Sequence, residues 1–274
     1  MPIKDILTWI DDESASFAVA YALALSQSFG AHLTGVALET DLAPSLIDGS
    51  IPVKLFDAVR ESERERCAAA KARFLAGAHD ANVPCDAVTL AGPAVDNYMQ
   101  LSVLARHFDI AVLPQQVPEK GSQRTQVIEA ALFGSGRPAL IVPYIWQGGP
   151  VRLERALVAW DGGLTAARAI GAAMPILASA KKIEVVTVGE GETRVELPGF
   201  DFARHLARHG LEVSSTRLAN GIGVANRLLS HAADSGADIL IMGGYGHSRF
   251  RETLFGGATL GILATMTLPV FMTH

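Results

Sequence analysis

The strongest constraint on this chain is that its plan occurs twice. Leu7 to Asp12 (LTWIDD) lines up with Leu157 to Gly162 (LVAWDG), which pairs Asp11 with Asp161. Asp109-Ile110 lines up with Asp238-Ile239, LFG recurs at 132–134 and 254–256, and Pro138 and Pro269 each open a last apolar run. A period this long signals a duplicated domain rather than a solenoid. Within each copy, short apolar runs alternate with segments of helical spacing. Strands are expected at 3–10, 31–38, 85–90, 109–113 and 138–143, and again at 156–160, 183–188, 211–218, 238–242 and 270–273. Helices are expected at 13–29, 57–81, 93–107 and 124–132, then at 164–178, 200–209, 221–236 and from 257 to about 266. Such alternation predicts right-handed βαβ units and parallel sheets covered on both faces. Residues 144–150 (YIWQGGP) read as a linker, so the expected domains are 1–145 and 151–274.

At 274 residues, each half is long enough to bury a core of its own. With 49% hydrophobic and 19% charged residues the chain reads as globular. A formal net charge of −5 argues against a nucleic-acid or anionic-membrane surface. No apolar run reaches the 18 or so residues of a membrane helix. The opening MPIKDILTWIDD puts acids where a signal peptide would be apolar, so a cytoplasmic setting is expected. Cys67 and Cys85 show no metal-ligand or disulfide spacing and read as packing residues.

The chemistry concentrates in residues 238–273. An apolar run ends in Gly243-Gly244-Tyr245-Gly246, and a second glycine pair, Gly256-Gly257, precedes a helical segment. Strand, glycines and helix in that order bring bare backbone amides to a positive helix end, which suits a phosphate. The same glycines could equally do no more than turn the chain tightly.

The spacing Gly243-x-x-Gly246, nine residues, Gly256 resembles the nucleotide signature of the universal stress protein family, with one departure: Gly257 stands where that family has Ser or Thr. The resemblance extends over both halves. It implies an α/β fold of two tandem universal stress protein domains, each a five-stranded parallel sheet flanked by helices (adenine nucleotide alpha hydrolase-like). It also implies ATP, with or without Mg²⁺, at the carboxyl ends of the second-half strands. Carried over to this sequence, the nucleotide-binding set is Ala159, Asp161, Val188, Met242, Gly243, Gly246, His247, Gly256, Gly257, Ala258 and Thr259. Asp161 would sit beside the adenosine, and Val188 would offer backbone contacts to adenine. The glycines would line the phosphates. A strand-end Asp such as Asp161 can instead cap the next helix. Losing the hydroxyl at 257 costs roughly 1.5–3 kcal/mol, about ten- to a hundred-fold in affinity. In the first half Pro114-Gln115-Gln116-Val117 replaces the glycine loop while Gly134-Ser135 keeps its later element, so that copy is expected to bind no nucleotide tightly.

Motifs for chemistry are missing. There is no Walker lysine, and Arg249 breaks a G-x-G-x-x-G pattern. Neither S-G-G-x-D-S nor H-I-G-H occurs. His247 and Ser248 are adjacent without a third group to orient them. His205 and His209 have i, i+4 spacing but no further ligand. The leading reading is a non-catalytic ATP-binding stress protein. A nucleotide-free interaction module and a weak ATPase are the alternatives. The last strands of the two halves, 140–142 and 270–272, are expected to pair within the chain, and a homodimer of whole chains stays open.

Overall fold

The computed structural model describes residues 2–10, 16–41, 53–116, 122–189, 201–244 and 257–274. The first half runs β1 (Asp5–Trp9), α1 (Ser16–Phe29), β2 (His32–Asp41), α2 (Val53–Asp80), β3 (Cys85–Pro93), α3 (Ala94–Ala105), β4 (Ile110–Pro114), α4 (Ser122–Gly134) and β5 (Ala139–Val142). The second half repeats the order. It runs β6 (Arg155–Ala159), α5 (Leu164–Ala172), α6 (Met174–Leu177), β7 (Lys182–Val188), α7 (Phe202–Ala207), β8 (Val213–Leu218), α8 (Val224–Ser235), β9 (Ile239–Gly243), α9 (Gly257–Thr265) and β10 (Val270–Thr273). The expected 164–178 helix is broken in two. Pro175 lacks the amide that a continuous helix would use and opens α6 instead.

The two halves form one ten-stranded sheet, ordered β3-β2-β1-β4-β5-β10-β9-β6-β7-β8. Pairing is parallel inside each half and antiparallel at the junction, where Leu140 faces Phe271 and Ile141 faces Val270. The last strands thus cover each other's open edges. Strand side chains alternate between two buried clusters. Ile6 and Ile110 point into one with α1, α2, α5, α6 and α7, while Leu7 and Leu113 point into the other with α3, α4, α8 and α9. Both clusters contain residues of both halves, so the core runs unbroken across the junction.

The halves also repeat in their hydrogen bonds. Asp109 Oδ2 accepts from the amides of Lys4 and Asp5 at 2.7 and 3.1 Å, and Asp238 Oδ2 accepts from those of Glu154 and Arg155 at 2.9 and 2.8 Å. Each carboxylate ties the start of its half's first strand to that of the fourth. The LFG repeat, in contrast, is no structural correspondence. Gly134 ends α4, and a Cβ there would lie 2.5 Å from Ser102 Cβ. Counted back from the paired last strands, Gly134 matches Thr265 at the end of α9, not a residue ahead of it. Gly134-Ser135 is therefore no remnant of the glycine loop. Its glycine serves the close approach of α4 to α3.

Among the described residues, no helix is long and apolar enough to cross a membrane. Cys67 is buried in α2 and Cys85 is half-buried at the start of β3. His205 and His209 meet edge to face at 5.0 Å, and no cluster of three metal-ligating side chains occurs among the described residues.

Candidate functional site

In the second half the strand order reverses between β6 and β9: β7 and β8 lie on one side of β6, β9 and β10 on the other. In open α/β sheets the crevice beyond the strand ends at such a point is where ligands bind. A cavity of about 580 Å³ opens there. That is within the ordinary size of a small-molecule site.

The cavity lining is of two chemical kinds. Val186, Val188, Leu228 and Met242 make an apolar wall. The starts of three helices line the cavity as well: Thr165-Ala166 of α5, Val224 to Asn226 of α8, and Gly257 to Thr259 of α9. First-turn amides have no partner within their own helix. The N-cap residues of α5 and α8 are Gly163 and Gly223, which have no side chain to supply one. Three helix ends directed at one space make it electropositive without a basic side chain. Asp161 is the single charged residue among the described lining, and it is exposed at the mouth. Its Oδ1 accepts the amide of Gly163 at 2.8 Å, so the carboxylate holds the turn into α5 as well as facing the cavity.

Of the residues expected from the sequence, Ala159, Asp161, Val188, Met242, Gly243, Gly257, Ala258 and Thr259 come together around this cavity. Gly246, His247 and Gly256 lie outside the described residues, as does Asp11, the partner of Asp161 in the repeat. Two of the glycines do work the sequence did not reveal. A Cβ on Gly243 would lie 2.5 Å from Thr165 Oγ1 and 2.6 Å from the Ala166 nitrogen, so this glycine lets β9 meet the first turn of α5. The Gly244 amide is not free for a ligand, because it donates to the Thr273 carbonyl at 2.7 Å. Gly257 is different: a Cβ there meets no atom of the described residues within 4 Å. Sequence reasoning placed helices near 164 and 221 but missed that their starts line the site. Gly223, at φ +86° just ahead of a helix-period run, was the available signal.

The equivalent place in the first half holds a large buried side chain among the described residues. Trp9 pairs with Val36 as Ala159 pairs with Val186, so the two residues occupy equivalent positions. Trp9 is 1% exposed and belongs to the buried cluster with Val36, Leu38, Leu101 and Leu113. Asn97 closes the region above, donating from Nδ2 to the carbonyls of Glu39 and Gly92 at 2.9 and 3.1 Å. One half keeps an alanine and a cavity. The other has a buried indole at that position.

Among solved structures the chain is similar to a universal stress protein from Archaeoglobus fulgidus DSM 4304, at 17% identity and a TM-score of 0.70, over 97% of this chain and 94% of that one. A Pseudomonas aeruginosa UCBPP-PA14 protein described as a universal stress protein matches at 15% identity and a TM-score of 0.57, over 98% and 92% of the two chains. A Pseudomonas aeruginosa PAO1 protein of unknown function matches at 16% and 0.56, with the same coverage. No protein-family model and no curated protein matches the sequence. At these identities the likeness speaks to architecture. The chain carries the tandem universal stress protein fold, two five-stranded units joined edge to edge through their last strands.

Proposed function

We propose that the protein is a non-catalytic adenine-nucleotide-binding member of the universal stress proteins, with one ATP site in its second half. The observation that carries this reading is the cavity at the sheet's switch point, lined by apolar side chains and by three helix starts. Its apolar lining suits a base, and its three helix starts suit phosphates. Asp161 at the mouth is an acceptor for sugar hydroxyls. As a hard oxygen ligand it would also hold a Mg²⁺ accompanying the phosphates, which would neutralise part of their charge. The site has hydrogen-bond donors for an anion but no base and nucleophile in contact among the described residues, which favours binding over turnover. The first half, filled by Trp9, is a scaffold in this reading.

Calorimetric titration with ATP and Mg²⁺ tests the proposal, with Ala159→Trp as the comparison. That variant places in the cavity the side chain the first half already carries. Saturable heat from the unaltered protein and none from the variant is the expected result. Absence of heat from the unaltered protein at millimolar ATP refutes the reading.

A further inference from the structure

The residue that replaced the first glycine loop is bonded to the helix that lines the second-half cavity. Gln115 is fully buried, and its Nε2 donates to the carbonyls of Leu263 and Ala264 at 2.9 and 3.4 Å. Those carbonyls belong to the last turn of α9, where a helix has no amide donors of its own to offer them. The cap of a second-half helix is thus supplied by the first half. Gln115 Oε1 accepts the Tyr144 amide at 3.0 Å, and its carbonyl accepts from Arg124 Nη1 at 3.3 Å. One side chain therefore joins the end of α9 to the start of the segment linking the halves. In that segment the Trp146 ring meets Tyr21 of α1 edge to face at 5.2 Å.

α9 has nine residues, about 13 Å of helix at 1.5 Å per residue. Its first turn lines the cavity and its last turn is held by Gln115. A second contact reaches the same region. The Phe133 ring of α4 meets His274 at 4.8 Å, and His274 Nδ1 lies 3.4 Å from the carbonyl of Gly244, just past the end of β9. The first half thus touches two elements that flank the cavity, the end of α9 and the end of β9.

We propose that Gln115 is a positioning residue that couples occupancy of the second-half cavity to the first half, with α9 as the rigid connector. The ligand is the adenine nucleotide of the preceding reading, on which this inference rests. A ligand that draws in the first turn of α9 shifts the last turn against Gln115, and through Tyr144 the linking segment. Coupling is reciprocal: what Gln115 does to α9 alters ligand affinity by the factor with which the ligand alters the Gln115 contacts.

The test is amide hydrogen exchange of the full chain with and without ATP and Mg²⁺, combined with titration. Gln115→Met keeps the side-chain length and removes both hydrogen-bonding groups. Ile6→Val, in the first-half core away from the junction, controls for general destabilisation. In the unaltered protein ATP should slow exchange at 257–260 and at 142–146. In Gln115→Met, protection at 142–146 should vanish and affinity should fall about five- to tenfold, in the range of ordinary coupling. Ile6→Val should retain both. Gln115→Glu, which keeps the acceptor toward Tyr144, provides the same readout if the methionine variant does not fold. An unchanged affinity together with persistent protection at 142–146 overturns the proposal. If the unaltered protein shows no response to ATP, the nucleotide reading falls on its own account. The connector is then judged on ligand-free exchange: faster exchange of Gln115→Met at 257–260 supports it, and a change confined to 262–266 overturns it.

Discussion

Gly257→Ser restores the hydroxyl that the glycine-loop signature has at this position, and the structure says what it should do. Gly257 is the first residue of α9, and a Cβ built on it meets no atom of the described residues within 4 Å. It is not among the glycines with positive φ, so its backbone accepts an ordinary side chain without strain. A serine there adds one donor at the helix start that lines the cavity. A hydrogen bond to a charged group contributes about 1.5–3 kcal/mol, which is roughly ten- to a hundred-fold in Kd. Any side chain at 257 also stiffens the unfolded chain, by about 0.4–1 kcal/mol of folding stability. Gly257→Ala carries that second effect without the first. Titration of all three proteins with ATP and Mg²⁺ separates them. The serine variant should bind at least about tenfold tighter than the alanine variant. Equal affinities for the two would refute the assignment of the α9 start to the phosphate end of the site.

Two further substitutions test the packing argument. Trp9→Ala removes a fully buried indole and should lower unfolding free energy by about 3–5 kcal/mol in urea titration. Free indole should return part of the loss as a raised Tm, whereas a cost below about 1 kcal/mol would mean that the site collapses and Trp9 does not hold it open. Gly243→Ala drives a methyl into the backbone of Thr165-Ala166 and should destabilise by about 1–3 kcal/mol. An unchanged urea midpoint would show that β9 and α5 can separate at no cost.

The alternation of apolar runs and helix-period segments was sufficient to assign the order of elements. It depends on local periodicity and on the prolines that open both last strands. The duplicated plan and the meeting of β5 with β10 were likewise legible, because a repeat with one open edge per copy has a natural way to close. Eight of the expected site residues fall around one cavity, since strand ends and helix starts are local features that the βαβ plan brings together.

What the sequence could not decide was which end-of-strand side chain fills space and which borders it. Trp9 and Ala159 both read as the next-to-last residue of a first strand, and only the packing of β2, β4 and α3 around Trp9 turns one of them into a plug. LFG occurs twice because short apolar tripeptides are common, and only the register of the paired last strands shows that its first copy ends a helix instead of preceding one. Gly243 looks like clearance for a ligand until α5 is found against it. Gln115 looks like a degraded loop until α9, some 150 residues later, ends on its amide. Periodicity and turn chemistry are written along the chain. Whether a position is empty, filled or bonded depends on neighbours that only the folded chain supplies.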